Sequence, residues 1–166
     1  MQDEFVLELI SECKRNNIHT AVDTCGYTVT EKGFSVLEEA DLLLYDLKGI
    51  DPKAHIRDTG VSNEVILKNL KTLNDMNKPI IVRIPLIPGY NDTEEIAGEM
   101  AEFLSSLVSV ERVDIIPFHE YGKIKYEELG KKYLLDNLKK DMISKEKKDT
   151  IAKIFADHGI RVQFGG

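Results

Sequence analysis

The stretch that decides the fold runs over residues 40–48 and reads Ala40-Asp41-Leu42-Leu43-Leu44-Tyr45-Asp46-Leu47-Lys48. Its centre is a nearly continuous apolar run, which is typical of a strand buried on both faces of a parallel sheet. Its end carries a carboxylate and an ammonium group two residues apart, and residues i and i+2 of an extended chain point to the same side. The stretch therefore predicts a buried strand that ends in a charged pair.

Three further apolar runs end in polar side chains in the same way. They cover residues 18–24, 79–87 and 110–117, and a last short strand is predicted at 160–164. Amphipathic helical periodicity fills the intervals, at residues 3–16, 30–39, 63–76, 92–107 and 144–157. Helices that connect successive strands force parallel pairing with right-handed crossovers. The predicted fold class is α/β, a partial, open TIM-like βα barrel of parallel strands with outer helices.

The strand count and the helix starts refine this prediction. Five strands cannot close an eight-stranded barrel, and the chain opens on a helix, so we expect the N-terminal strands of the barrel to be missing. Ser62 is expected to cap the helix at 63–76, and Asp92 with Glu95 forms a capping-box pattern. Residues 49–61 are predicted to be a loop that exposes His55, and residues 121–143 to hold one or two short helices.

Composition and charge exclude several classes of protein. The chain has 166 residues, enough for one domain or part of a larger one, and no apolar run approaches the ~18 residues that span a membrane. No secretion leader is visible, so a cytoplasmic location is expected. The net charge of −7 argues against nucleic acid as a partner. The two cysteines, Cys13 and Cys25, are too few for a disulfide scaffold and lack metal-ligand spacing.

The charge is unevenly distributed along the chain. Residues 122–153 carry ten lysines against six acidic residues, a local net charge of +4. A solvated helical surface is the favoured interpretation of this segment. The alternative is a docking face for an acidic partner protein.

Six polar side chains are predicted to ring one pocket, because the carboxyl ends of parallel strands share a face and ligands bind there. They are Asp23, Thr24, Asp46, Lys48, Arg83 and His119. Asp46 and Lys48 together suit a ligand with hydroxyl and carboxylate groups. Lys48 also suits a Schiff base, whereas a local Asp–Lys ion pair is the structural alternative.

The other predicted site residues also have both a ligand-binding and a structural interpretation. Asp23, Thr24 and Asp46 suit an all-oxygen cation site, or Asp23 belongs to a polar turn. Arg83 interrupts an apolar strand and therefore needs an anionic ligand or an acidic neighbour such as Asp23 or Asp46. His119 suits ligand contact or proton transfer, or a purely structural role.

Four motifs, in order and spacing, resemble one family. They read His19-Thr20-x-x-Asp23-Thr24-x-Gly26, Asp46-Leu47-Lys48 with downstream Thr59-Gly60-Val61-Ser62-Asn63, Val82-Arg83-Ile84-Pro85-x-x-Pro88-Gly89, and Pro117-Phe118-His119-x-x-Gly122 continued by Lys125-Tyr126-x-x-Leu129-Gly130. Over residues 1–166 the chain resembles the C-terminal part of the partial-barrel domain of the radical S-adenosylmethionine (SAM) activating enzymes for glycyl-radical enzymes, the family that includes pyruvate formate-lyase activating enzyme.

The resemblance implies an activity and a set of roles. The family passes one electron from a [4Fe–4S] cluster to SAM, which gives methionine and a 5′-deoxyadenosyl radical that removes hydrogen from a backbone glycine of the partner. The implied cofactor contacts are Thr24, Asp46, Lys48, Arg83 and His119. Asp23 and Asp46 would hold a monovalent cation. The implied partners are a glycyl-radical enzyme such as pyruvate formate-lyase and an electron donor such as flavodoxin or ferredoxin.

Two departures from the family pattern predict that this chain is inactive alone. The Cys-x3-Cys-x2-Cys motif that binds the cluster and the Gly-Gly-Glu segment that holds the methionyl amine are both absent. We therefore expect the chain to begin just after that segment, to contribute no catalytic residue of its own and to bind SAM weakly or not at all. Two other functions stay open, namely a stand-alone barrel-like lyase that uses Lys48 as a Schiff-base amine and a non-catalytic docking domain that uses residues 122–153.

Overall fold

The computed structural model describes residues 2–139 and 142–165. Within those ranges, helices and strands alternate: α1 (Asp3–Arg15), β1 (Ala21–Thr24), α2 (Glu31–Glu39), β2 (Leu42–Asp46), α3 (Pro52–Thr59), α4 (Glu64–Asp75), β3 (Ile80–Leu86), α5 (Glu94–Ser105), β4 (Val110–Pro117), α6 (Lys123–Glu128), α7 (Lys145–Asp157) and β5 (Val162–Phe164). A 3-10 turn at Glu120–Gly122 leads into α6. Of the helices described, none has the length and apolar content needed to cross a membrane.

The strands form one parallel sheet in the order β1-β2-β3-β4-β5. This open sheet with intervening helices confirms the predicted α/β class. The register pairs Asp46 of β2 with Arg83 of β3, and Thr24 of β1 with Tyr45 of β2. Two of the predicted site residues are therefore neighbours across the sheet.

The two faces of the sheet are buried to different degrees. Along β2 and β3, alternate side chains such as Leu43, Tyr45, Val82 and Ile84 are fully buried in the core beneath the helices. The residues between them at the carboxyl ends, which include Asp46 and Arg83, are only half-buried. Because successive side chains of a strand point to opposite faces, one face of the sheet belongs to the core and the other carries polar groups at the edge where the strands end.

Helix caps confirm some predicted starts and correct others. Ser144 caps α7 as predicted, by accepting a hydrogen bond from the Lys147 N–H. The prediction for α5 is wrong by one residue, because Thr93 is its N-cap and the Asp92 carboxylate is buried in contacts elsewhere. Helix α4 begins after Asn63, and the Ser62 hydroxyl accepts from Glu64 N–H instead of capping it.

Residues 49–61 are not the predicted loop, because they contain the helix α3. Its signals are all local: the Asp51 side chain accepts from Lys53 N–H at 2.9 Å, Pro52 occupies the first turn, and Gly60 ends the helix with φ +83°. The prediction of an exposed His55 is also wrong. The ring is buried, and its Nδ1 lies 2.7 Å from the Val61 carbonyl oxygen.

Two strand predictions differ only in extent. Strand β1 begins at Ala21 and β5 at Val162, in each case later than the apolar pattern indicates. In the described part of 121–143, one short helix, α6, follows the 3-10 turn, which agrees with the predicted one or two short helices. Within 121–143, Lys140 and Asp141 lie outside the described residues, as do Met1 and Gly166 at the ends of the chain.

Candidate functional site

Four of the six predicted site residues form a line of alternating charge at the carboxyl edge of the sheet. An Nη of Arg83 donates to Asp23 Oδ2 at 2.5 Å, and Arg83 Nε lies 3.9 Å from Asp46 Oδ1. Lys48 Nζ lies 3.4 Å from Asp46 Oδ2. Both structural alternatives from the sequence are therefore present, since Arg83 pairs with the two aspartates and Lys48 pairs with Asp46. The four charges balance one another.

Two atoms in this line are left without hydrogen bonds. Among the buried side-chain atoms of the described residues, Asp46 Oδ1 and Arg83 Nε have no partner. They face each other at 3.9 Å, which is too long for a direct hydrogen bond. Leaving a buried donor or acceptor unsatisfied costs about 1–3 kcal/mol each. Nε has a free donor and Oδ1 a free acceptor, which is the complement of a hydroxyl group that accepts one hydrogen bond and donates another.

Thr24 lies at the end of β1 and is held by the turn that follows it. Its hydroxyl accepts from Gly26 N–H at 2.9 Å. Gly26 has φ +69°, and a Cβ built there would lie 1.7 Å from the Tyr45 hydroxyl oxygen. That hydroxyl donates to the Ile66 carbonyl at 2.7 Å, and burial raises the pKa of Tyr45 far above its ordinary value. The turn thus rests directly on the core.

Asn69 also stabilises this turn, and the sequence did not lead us to predict it. Its side-chain amide donates to the carbonyl of Gly26 at 2.8 Å and to that of Thr28 at 3.0 Å. A buried asparagine on the apolar face of a predicted helix is the signal that could have found it.

His119 is not brought into contact with the four charged residues. It follows β4, and its ring packs on Tyr121 with the ring centroids 4.5 Å apart. Among the described residues, neither a hydrogen bond nor an ion pair joins it to the charged line. This ring contact agrees with the structural alternative for His119.

The two aspartates that are predicted to hold a cation are paired with a side chain of this chain. Asp23 and Asp46 both face the Arg83 guanidinium, which lies between their carboxylates. Within the part of the chain that the structure describes, no three His, Cys, Asp or Glu side chains are grouped to hold a metal ion. Cys13 and Cys25 are both free thiols.

A cavity of about 370 Å³ lies beside the charged line, on the side of α3. Of the six predicted site residues, Lys48 alone lines it. Its walls are largely apolar and aromatic, and they include His55, Tyr90, Tyr126 and Tyr133. Nothing in the sequence pattern pointed to this cavity, because its walls come from three segments that are far apart along the chain.

Residues 1–102 match the family model of the radical SAM superfamily. The chain belongs to the radical SAM superfamily. The resemblance inferred from the four motifs is thereby confirmed, and the relatives of this radical SAM chain are activating enzymes. It is 46% identical over 132 residues to trans-4-hydroxy-L-proline dehydratase activating enzyme of Clostridioides difficile, a match that covers 78% of this chain and 43% of that protein.

Two further comparisons agree with this assignment. Pyruvate formate-lyase-activating enzyme of Staphylococcus epidermidis is 38% identical over 144 residues, which cover 83% of this chain and 57% of that protein. A crystal structure of a domain of pyruvate-formate lyase-activating enzyme from Bacteroides vulgatus superimposes with a TM-score of 0.80 at 30% identity, covering 99% of this chain and 91% of that domain. The radical SAM chain spans about half the length of the curated relatives it matches.

Proposed function

We propose that residues 1–166 are the C-terminal part of the partial-barrel domain of a glycyl-radical-enzyme activating enzyme, and that their charged line holds SAM. The observation that carries the proposal is the unsatisfied pair Asp46 Oδ1 and Arg83 Nε at the strand ends of a radical SAM fold. A ribose hydroxyl has the donor and the acceptor that this pair lacks. The names of the relatives support the same type of reaction.

Each predicted residue has a role in this proposal. Asp46 and Arg83 bind the ribose hydroxyl, and Lys48 donates to the methionyl carboxylate. Thr24 and His119 form further contacts. Asp23 and Asp46 also hold a monovalent cation, beside the hydroxyl that Asp46 and Arg83 bind.

The proposed cofactors act together with parts of the enzyme that this chain does not supply. When bound, SAM and a [4Fe–4S] cluster supply the one-electron reduction and the radical that activate the partner. Two cysteines cannot provide the three thiolates of the family's cluster motif. We therefore expect the chain alone to be inactive and to bind SAM weakly. A glycyl-radical enzyme, a flavodoxin or ferredoxin donor and a cytoplasmic location belong to the same proposal.

The test uses a chimera, in which this chain replaces the matching segment of the Clostridioides difficile activating enzyme. We expect the iron-loaded, dithionite-reduced chimera to convert SAM to 5′-deoxyadenosine. Asp46→Ala and Lys48→Ala each remove a charge-assisted hydrogen bond of about 1.5–3 kcal/mol, so SAM affinity should fall by roughly 10- to 100-fold. Lys53→Ala, on the exposed face of α3, is the matched control and should leave SAM cleavage unchanged.

Two outcomes would contradict the proposal. A chimera that loads its cluster but releases no 5′-deoxyadenosine would exclude the activating-enzyme function. A borohydride-trapped adduct on Lys48 would favour the lyase alternative. The structure gives that alternative little support, since the Lys48 side chain is 40% exposed and paired with Asp46 rather than desolvated.

A further inference from the structure

We infer that Asn91 is a positioning residue for Lys48, because it fixes the main chain from which the lysine reaches Asp46. The inference rests on the proposed function and adds a residue to it from outside the charged line. Asn91 lies in the turn after β3 and is only 6% exposed. Among the described residues, no hydrogen bond joins its side chain to any of the four charged side chains, so its effect on them passes through the backbone.

Within the described part of the chain, the Asn91 side chain forms hydrogen bonds with the main chain around the site. Its Oδ1 accepts from Ile87 N–H at 2.7 Å. Its Nδ2 donates to the Pro85 carbonyl at 2.8 Å and to the Lys48 carbonyl at 3.2 Å. One buried amide therefore joins the end of β3 to the residue that follows β2.

The Lys48 carbonyl needs such a partner because the sheet ends just before it. The ladder between β2 and β3 continues to the bond from Leu47 N–H to the Arg83 carbonyl, at 2.9 Å. Beyond that point the chain leaves the sheet toward α3, so no further ladder bond restrains it. The Asn91 amide supplies a hydrogen bond to the Lys48 carbonyl there.

A second buried asparagine holds the two residues that follow. Asn63 Nδ2 donates to the Gly49 carbonyl at 2.9 Å and to the Ile50 carbonyl at 2.8 Å. Three consecutive carbonyls, from Lys48 to Ile50, are thus fixed by asparagine amides that come from either side. This restraint keeps the start of the flexible lysine side chain in one place, where Nζ remains within reach of Asp46.

The expected consequence is preorganisation of the charged line. A fixed backbone spares the ligand the cost of ordering Lys48 on binding. Removal of the Asn91 amide should therefore loosen the pair between Lys48 and Asp46 before any ligand is present. That effect distinguishes a positioning residue from a residue that merely stabilises the fold.

The first experiment uses this chain with its lysines reductively methylated with 13C, and the Lys48 NMR signal is assigned by Lys48→Arg. Asp46→Asn should shift the signal, and Asn91→Ala should shift it toward the same position. Asn74→Ala is the matched control. Asn74 is 8% exposed and its Oδ1 accepts from Ser109 N–H at 3.0 Å, next to the amino end of β4 and away from Lys48. It should leave the Lys48 signal in place.

Three results would overturn the inference. The first is a Lys48 signal that stays at its wild-type position in Asn91→Ala although Asp46→Asn shifts it. The second is a Lys48 signal that Asp46→Asn does not shift. Asn91→Asp, which keeps the acceptor for Ile87 N–H and loses both donors, provides a second variant and should also shift the signal. The third is that both Asn91 variants are unfolded while Asn74→Ala is folded, which would show that Asn91 stabilises the fold as a whole.

The second experiment measures SAM cleavage in the chimera. Asn91→Ala should raise KM for SAM about 10-fold and change kcat less than about 2-fold, the signature of weakened binding. Asn74→Ala should change neither constant, and an equal rise in KM for both variants would contradict the inference. A wild-type chimera without SAM cleavage would refute only the proposed function, because the NMR experiment requires no SAM.

Discussion

Gly26 is the single residue that most directly sets the position of Thr24. Its left-handed backbone lets the turn close, and its missing side chain lets the turn rest against the Tyr45 hydroxyl. Thr24 is then fixed by the hydrogen bond that Gly26 N–H donates to its hydroxyl. A glycine beside a predicted site residue therefore has a structural requirement of its own, which does not depend on any ligand.

We expect Gly26→Ala to lower the free energy of unfolding by about 3 kcal/mol. About 1–2 kcal/mol comes from a left-handed alanine, and the rest from displacing the buried Tyr45 hydroxyl from its carbonyl partner. Gly60→Ala is the matched control, since Gly60 has φ +83° but open space where a Cβ would lie. Gly60→Ala should lower the free energy of unfolding only by the cost of the left-handed backbone, about 1–2 kcal/mol. Urea unfolding measures both, and equal losses would show that contact with Tyr45 carries no weight.

At the scale of secondary-structure elements, one ion pair ties α7 to the turn between β3 and α5. Lys147 in the first turn of α7 donates to the buried carboxylate of Asp92. Gly89 N–H donates to the same carboxylate at 2.8 Å. Burial raises the pKa of Asp92, but Lys147 and the N–H groups outweigh it and hold the pKa below its ordinary value. The turn that also carries Asn91 is therefore anchored from both sides.

We expect Asp92→Asn to lower the free energy of unfolding at pH 7 by about 1–2 kcal/mol, since Lys147 is 40% exposed and remains partly solvated. A lowered folded-state pKa stabilises the protein above the unfolded-state pKa, about 3.9, and this contribution is lost as pH falls through the folded value. The difference between wild type and variant should therefore shrink below about pH 3.9.

Asp157→Asn is the control for this prediction. It removes the exposed pair with Lys153 on the same helix, which should contribute less than about 0.5 kcal/mol. Urea unfolding from pH 3 to pH 7 measures both variants. A wild-type advantage over Asp92→Asn that stays constant through this range would contradict the assignment.

At the scale of the whole molecule, the sheet has an open edge at β1. In the part of the chain that the structure describes, β1 pairs with β2 alone, and Ala21 and Asp23 are exposed. The outer side of this strand presents main-chain N–H and carbonyl groups that another strand can bind.

We expect this chain to self-associate with rising concentration and Ala21→Lys to weaken the association by placing a charge on the edge strand. Val108→Lys is the control, because Val108 is 85% exposed in the turn before β4. Sedimentation velocity measures the dimer fraction. A wild-type chain that stays monomeric at all concentrations, or an equal effect of Val108→Lys, would contradict the prediction.

The local order of this protein follows from its residues alone. The apolar runs at 40–47 and 79–87 predicted β2 and β3, and the spacing of Asp46 and Lys48 predicted that they share a side. The composition of β3 required either an anionic ligand or an acidic neighbour for Arg83. These predictions hold because backbone geometry sets the period of a strand over a few residues, and burial of an isolated charge is costly whatever the fold. The signals of α3 were equally local, and Asp51, Pro52 and Gly60 could have revealed it.

Which distant groups meet depends on how the whole fold packs. Strand register and crossovers place Arg83 between Asp23 and Asp46, and they bring the Asn91 amide to the Lys48 carbonyl. These contacts join residues that are separated by whole helices, so no local period encodes them. They follow from the packing of all the parallel strands and helices together, which fixes where each strand end stops relative to its neighbours.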